Sequence, residues 1–308
     1  MKPIVRVAGA TLLCGAALFA LSSTDGREAN ALLRASTASV GALHLRYVRA
    51  GAGTPVVLLH GYGESLLSWQ AVFDRLTRDA DVIAVDLPGF GLSSKPASGY
   101  TADSMATVMF AFLDGLGLRR VALVGHSLGG VVATAMAVHD PSRVLAMALI
   151  DPALVTPWAI AETSGSSRAG TSVRLVIAQY ERLRGRFGGA HDGNWMTEDS
   201  AAMDYQPSGD TAYATSLAAV LREFDFAFLT PKGARRLTMP VKLIWGALDP
   251  VIPVETGRVL AERLPNATLV VLPRTWHRPQ TERPTEVARI LSGYLKEVGR
   301  NVPVLAPS

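Results

Sequence analysis

A Gly-x-Ser-x-Gly stretch, Gly125-His126-Ser127-Leu128-Gly129, stands between four apolar residues at 121–124 and a run of small and apolar residues from Gly130 onward. Such an apolar run predicts a buried parallel strand, and the segment after it a buried helix, joined by a very tight turn. A serine on so sharp a turn adopts a strained backbone. Side chains two residues before and two after it would collide, and Gly125 and Gly129 carry none. The Ser127 hydroxyl is then held at the carboxyl edge of a sheet. The backbone N–H of Leu128, at the start of a helix, points into the same space, where negative charge is favoured. Ser127 is therefore the candidate nucleophile. A serine hydroxyl is weak at neutral pH and needs an imidazole to take its proton and an acid to orient that imidazole. Of the six histidines, His277 follows a late strand-like run on a loop, and is the candidate base. His60 and His126 sit beside glycines and are expected to hydrogen-bond locally. For the acid, Asp249 competes with Asp151. Both end strand-like runs, and Asp249 is preferred because its longer loop reaches towards His277. Asp86 is expected to hold its own loop through backbone hydrogen bonds.

These side chains need a common scaffold. Continuous apolar runs at 56–59, 82–85, 121–124, 145–150, 241–245 and 268–272 read as buried parallel strands. The residues that follow them are, in order, His60, Asp86, Ser127, Asp151, Asp249 and His277. Helical periodicity separates most of the strands: Trp69, Val72, Phe73 and Leu76, then Met105 to Leu116 behind a capping Thr101, then a last helix from Pro284 carrying Val287, Ile290, Leu291, Tyr294 and Leu295. Before them, residues 44–49 alternate as a half-buried hairpin strand does. Strands alternating with helices predict a mostly parallel, doubly wound α/β sheet with function at the carboxyl ends of its strands. The rhythm breaks between 155 and 236, where helical fragments alternate with loop signals. This reads as a helical cap or lid inserted into a core formed by 36–154 and 237–299.

Composition sets the outer bounds. The chain has 308 residues, 49% of them apolar and 18% charged, with a net charge of +4. The charge is spread along the chain, and no basic run is interleaved with aromatics, so a nucleic acid partner is not expected. Lys2 and Arg6 precede an uncharged apolar run at 7–21. That run is shorter than the roughly 20 residues a membrane span needs, and suits a signal-peptide core. Residues 1–23 are accordingly expected to be a cleaved export signal, or else an uncleaved N-terminal anchor, the one expected contact with a membrane. The single cysteine, Cys14, lies inside this segment, so thiol catalysis and disulfides are not expected in the mature protein. No pair of histidines has metal-ligand spacing, and neither a metal nor a cofactor is expected.

Taken together, His60-Gly-Tyr-Gly, Asp86-Leu-Pro-Gly-Phe-Gly-Leu-Ser, Gly125-His-Ser-Leu-Gly-Gly, Trp245-Gly-Ala-Leu-Asp-Pro-Val-Ile-Pro and His277-Arg-Pro-Gln-Thr-Glu-Arg-Pro resemble the lidded, esterase-like members of the α/β-hydrolase-fold serine hydrolases. The resemblance spans about 51–295, and the order Ser, Asp, His matches the family's. It implies Ser127 as nucleophile, His277 as base and Asp249 as orienter. It also implies an oxyanion hole made by the N–H groups of Tyr62 and Leu128. Epoxide hydrolases and haloalkane dehalogenases of this fold carry an aspartate at the nucleophile position, so neither reaction is expected. Two departures stand out. Thr275-Trp276 occupy the place of small glycines before the histidine. Arg278 adjoins the base, and if close in space would disfavour the imidazolium.

The expected reaction is hydrolysis of a carboxylic ester or related acyl substrate through an acyl-enzyme. The same three residues also serve acyl transfer, C–C bond hydrolysis or perhydrolysis, and a catalytically silent ligand-binding protein on the fold is the remaining class. Trp158, Tyr180, Phe187, Trp195, Met196, Met203, Tyr205 and Tyr213 make the insertion aromatic. That suggests a small, apolar acyl or ring-containing substrate, although each of these residues taken singly is better explained as packing the cap onto the core.

Overall fold

The computed structural model describes residues 35–154 and 211–301. The predicted leader and most of the predicted cap, 155–210, lie outside the described residues.

Eight strands form one sheet: β1 (Ser36–Val40), β2 (Leu43–Gly51), β3 (Pro55–Leu59), β4 (Asp81–Val85), β5 (Val121–His126), β6 (Val144–Ile150), β7 (Val241–Gly246) and β8 (Ala267–Leu272). Their order is β1-β2-β4-β3-β5-β6-β7-β8. β1 and β2 pair as an antiparallel hairpin, and β2 pairs antiparallel with β4. All other neighbours run parallel. β3 and β5 are buried along nearly their whole length because both sheet faces are covered. Val57, Leu59, Val121 and Leu123 face one apolar layer, while Val56, Leu58, Ala122 and Val124 face the other. β2 alternates between faces but is not half-buried. Leu45 enters the first layer and Val48 the second, because the strand lies inside the sheet edge with cover on both sides.

On the first face lie α2 (Ala102–Gly115), α3 (Leu128–His139) and α6 (Val254–Arg263); on the second lie α1 (Gln70–Leu76) and α8 (Pro284–Asn301), which the short α7 (Pro279–Glu282) precedes. Thr101 caps α2, its hydroxyl accepting from the Ser104 N–H at 3.1 Å. Val287, Leu291, Tyr294 and Leu295 of α8 are buried, which gives that helix one apolar stripe against the sheet. Of the region set aside as an insertion, the described part contains α4 (Thr211–Glu223) and α5 (Pro231–Arg236).

α4 is fastened to two loops at the carboxyl edge of the sheet. Tyr62 donates its hydroxyl to the Leu217 carbonyl (3.2 Å), Tyr213 to the Gly63 carbonyl (3.3 Å) and Ser216 to the Gly89 carbonyl (2.7 Å). The Glu223 carboxylate accepts from the N–H groups of Gly99 and Tyr100. Among the described residues, no helix is long and apolar enough to cross a membrane.

Candidate active site

Ser127 lies between the last residue of β5 and the first of α3, with φ 49° and ψ −115°. Few non-glycine residues occupy that left-handed region, and its cost is borne by the surrounding structure. The Ser127 N–H donates to the Ile150 carbonyl and its carbonyl accepts from the Ala153 N–H, both at 3.0 Å, so β6 and the loop after it hold the turn. A Cβ on Gly125 would come within 2.7 Å of the Gly130 Cα, and one on Gly129 would run into the carbonyls of Leu59 and His60. The glycines thus let α3 sit against both β5 and the end of β3. Leu128 is the first residue of α3, where an N–H has no intrahelical acceptor.

His277, on the loop after β8, brings Nε2 to 3.0 Å from the Ser127 Oγ. Its Nδ1 is 2.7 Å from Asp249 Oδ2. Asp249 is fixed in turn, because its Oδ1 accepts from the N–H groups of Val251 (2.7 Å) and Ile252 (3.0 Å). An Nδ1–H donated to the carboxylate leaves Nε2 as the acceptor facing the serine hydroxyl. All three side chains are buried.

Asp151 is also close. Its strand, β6, adjoins the serine strand, whereas β7, which leads to Asp249, is one strand further away. Asp151 Oδ1 accepts from the Gly246 N–H at 2.9 Å, and Oδ2 is buried without a hydrogen-bond partner among the described residues. Burial first, and then the neighbouring Asp249 carboxylate, push the Asp151 carboxyl well above the usual range. Ligand-type atoms of Asp151, Asp249 and His277 all lie within 4.8 Å of one another. Asp249 and His277 are already joined by a hydrogen bond, so the group reads as carboxyls around an imidazole rather than as an open metal site.

Other expectations fare differently. Asp86 holds its loop: Oδ1 accepts from the Leu66 N–H and Oδ2 from the Leu92 N–H. His60 bonds its surroundings, with Nδ1 donating to the Gly61 carbonyl (2.8 Å) and Nε2 accepting from the Leu87 N–H (3.0 Å). Complete burial pushes its pKa down, in keeping with that neutral form. His126 does not bond locally. Its Nδ1 lies 3.1 Å from Glu64 Oε2 and its Nε2 lies 2.7 Å from the His277 carbonyl, partners far away in sequence. Arg278 turns its guanidinium to Glu64, Nε to Oε1 2.9 Å, so its charge is opposed by a carboxylate beside it. Tyr62 stands on the loop after β3, with its hydroxyl committed to α4.

Two residues escaped the sequence reading. Glu282 accepts from the N–H groups of Trp276 (2.7 Å) and Arg278 (2.9 Å), bracketing His277 and setting the path of a loop that lacks glycines there. Its signal was an acid in the first turn of a helix opened by Pro279. Glu64 is buried beneath the His60-Gly-Tyr-Gly loop. A lone acid directly after a glycine-rich loop was the only hint of it.

The model of the α/β-hydrolase fold matches residues 54–284. A 2-hydroxymuconate semialdehyde hydrolase from Pseudomonas sp. strain CF600 is 30% identical over 257 residues, covering 80% of this chain and 89% of the relative. The dihydrolipoyllysine-residue acetyltransferase component of an acetoin cleaving system from Cupriavidus necator is 29% identical over 283 residues, covering 91% of this chain and 74% of that protein. Among solved structures, a membrane phospholipase A, presented as a bacterial virulence factor, superposes with a TM-score of 0.71 at 27% identity and covers 89% of each chain. With a family match over most of its length and an eight-stranded sheet of the same kind, the chain belongs to the α/β-hydrolase-fold family and is a hydrolase.

Proposed function

We propose that the protein is a serine hydrolase that cleaves a carboxylic ester or related acyl substrate through an acyl-enzyme. The observation that carries this reading is the continuous relay from Ser127 Oγ to His277 Nε2 (3.0 Å) and from His277 Nδ1 to Asp249 (2.7 Å), ending at the amino terminus of α3. In the first half-reaction Ser127 Oγ attacks the carbonyl carbon while its proton passes to His277 Nε2. Asp249 stabilises the imidazolium that forms. The N–H groups of Leu128 and Tyr62 receive the oxyanion. As the intermediate collapses, the leaving alcohol takes the proton from Nε2. Water then repeats the sequence against the acyl-enzyme, with His277 again the base, and restores the free serine.

A second reading is C–C bond hydrolysis by the same residues, favoured by the 30% identity to the 2-hydroxymuconate semialdehyde hydrolase. Residues 155–236 act in either case as a cap that selects the substrate, and residues 1–23 as an export signal or anchor.

One comparison tests the chemistry. The parent and Ser127→Ala are assayed with p-nitrophenyl esters of increasing acyl length and with a vinylogous 1,5-diketone of the ring-fission type. The expected result is ester turnover by the parent and a loss of about 10⁴–10⁶-fold in kcat for Ser127→Ala. Turnover of the diketone alone would move the assignment to C–C hydrolysis. Activity of the variant within tenfold of the parent would remove Ser127 from the mechanism.

A further inference from the structure

Three loops must be held in register for the reaction proposed above: the one carrying Tyr62, the turn carrying Ser127, and the one carrying His277. Each sends one group to the same buried point. Glu64, next to the first loop, places Oε2 2.8 Å from the Gly61 N–H and 3.1 Å from His126 Nδ1. His126 immediately precedes Ser127. Its other ring nitrogen lies 2.7 Å from the backbone carbonyl of His277. Arg278 immediately follows His277, and its Nε lies 2.9 Å from Glu64 Oε1. The side chains of Glu64, His126 and Arg278 are 5%, 2% and 5% exposed. Gly61 completes the fit, since a Cβ there would come within 2.8 Å of His126 Nδ1.

We propose that Glu64, His126 and Arg278 form a positioning cluster that locks the oxyanion loop, the nucleophile turn and the base loop to one another. The proposal rests on the reading of Ser127 as nucleophile and His277 as base.

The hydrogen-bond inventory shows why these residue types are required. The Glu64 carboxylate faces a backbone N–H and a ring nitrogen at hydrogen-bond distance and the Arg278 guanidinium as an ion pair. A neutral amide has one oxygen, so Gln at this position would lose the ion pair to Arg278 whichever way it turned, and with its NH2 towards Gly61 and His126 would lose their acceptor as well. His126 faces a carboxylate through one nitrogen and a carbonyl through the other, so both its ring contacts are to acceptors on other loops. Burial would raise the Glu64 carboxyl, but His126, Arg278 and the Gly61 N–H together hold it well below the usual carboxylate range. The carboxylate therefore remains an acceptor for all three loops. The cluster touches no reacting atom. It acts through the placement of the Ser127 hydroxyl, the His277 ring and the N–H donors, and a displacement of about 1 Å among such groups costs on the order of 10²-fold.

The test follows the rate at which Ser127 is phosphonylated by a small fluorophosphonate, separated into a maximal rate and a half-saturating concentration. It is combined with urea unfolding of the parent, Glu64→Gln, Arg278→Met, Arg278→Lys and the Glu64→Gln/Arg278→Met double variant. The single variants Glu64→Gln and Arg278→Met are expected to lose ten- to a hundredfold in the maximal rate, with half-saturation moving less than threefold. Arg278→Lys, which keeps a cation, should recover part of the loss seen in Arg278→Met. The double variant leaves no unpaired buried charge from this pair, so its unfolding midpoint should rise above that of either single variant. Its maximal rate should nevertheless stay as low as theirs. A maximal rate that recovers along with stability would mean that the cluster serves folding alone, and would overturn the proposal. So would single variants within twofold of the parent. Should Glu64→Gln fail to fold, the Arg278 pair decides: equal rates for Met, Lys and parent reject the cluster. A parent whose Ser127 is not labelled at all rejects the nucleophile reading instead, so the two failures are distinct.

Discussion

Asp151 and Asp249 approach the same histidine from two strand ends, yet their surroundings divide their roles. Asp249 receives two backbone N–H groups on one oxygen and the His277 ring on the other. Asp151 receives one N–H and is pushed, by burial and by Asp249, towards its neutral form. Asp249→Asn is expected to lower kcat by about 10⁴-fold, because an amide favours the wrong imidazole tautomer. Asp151→Asn should stay within tenfold of the parent in the same ester assay, and a larger loss from the Asp151 change would reverse the assignment. The two Asp151 forms should also separate in stability. A carboxyl whose folded pKa lies above its unfolded value, about 3.9, binds more protons folded than unfolded. Its contribution is full below pH 4 and is lost as pH rises through the folded value. Asn does not titrate. Urea midpoints compared at pH 4 and pH 8 should therefore move in favour of Asp151→Asn at the higher pH. A shift in favour of the parent would contradict the buried neutral carboxyl. The neighbourhood of Ser127, Asp249 and His277 was legible because each follows an apolar strand. Glu64 was not legible. Besides the nearby Gly61 N–H it works through His126 and Arg278, 62 and more residues away, on loops whose closeness no local pattern records.

At the scale of elements, the contact between β5 and α3 depends on the absence of two side chains. Gly129→Ala puts a methyl group against the carbonyls of Leu59 and His60, backbone atoms that cannot swing aside. Overpacking of this kind costs about 1–3 kcal/mol, and the displaced helix carries the Leu128 N–H with it. The variant should show a lower urea midpoint and, in the folded fraction, slower labelling of Ser127. Parent-like values for both would mean that the helix has room to move. The strands, and the helices before and after the insertion, could be read from period and punctuation. Their spatial order could not. That the chain places β4 outside β3 and leaves β7 one strand away from β5 is decided by crossovers, which no apolar run encodes. The bonds from Tyr62, Tyr213 and Ser216 that fasten α4 were equally hidden, since they join hydroxyls to backbone carbonyls more than 120 residues apart.

For the whole molecule, the proposed cap and leader carry separate predictions. Should residues 155–236 shape acyl preference without taking part in bond breaking, a variant with a short linker in their place should still be labelled at Ser127 while its preference among acyl lengths flattens. Unchanged preference, or a folded variant that no longer labels, would refute the cap reading. If residues 1–23 are removed on export, the intact mass of protein from a secreting host should fall by the mass of that segment. Full-length protein recovered from the cytoplasm of such a host would contradict it.

The hairpin at the sheet's flank has a practical consequence. Ser36 pairs with Tyr47, and Tyr47 with Val85 at the end of β4. The amino-terminal attachment point therefore lies on the outermost strand, four strand spacings from β5, or about 19 Å at roughly 4.8 Å each. Anything joined there, whether a lipid bilayer, a bead or a fusion partner, grips the molecule by its side. Val85 is in register with Leu59, and Leu59 with Gly125, so that flank stands level with the carboxyl edge that carries Ser127, and a tether there approaches the site sideways along the sheet.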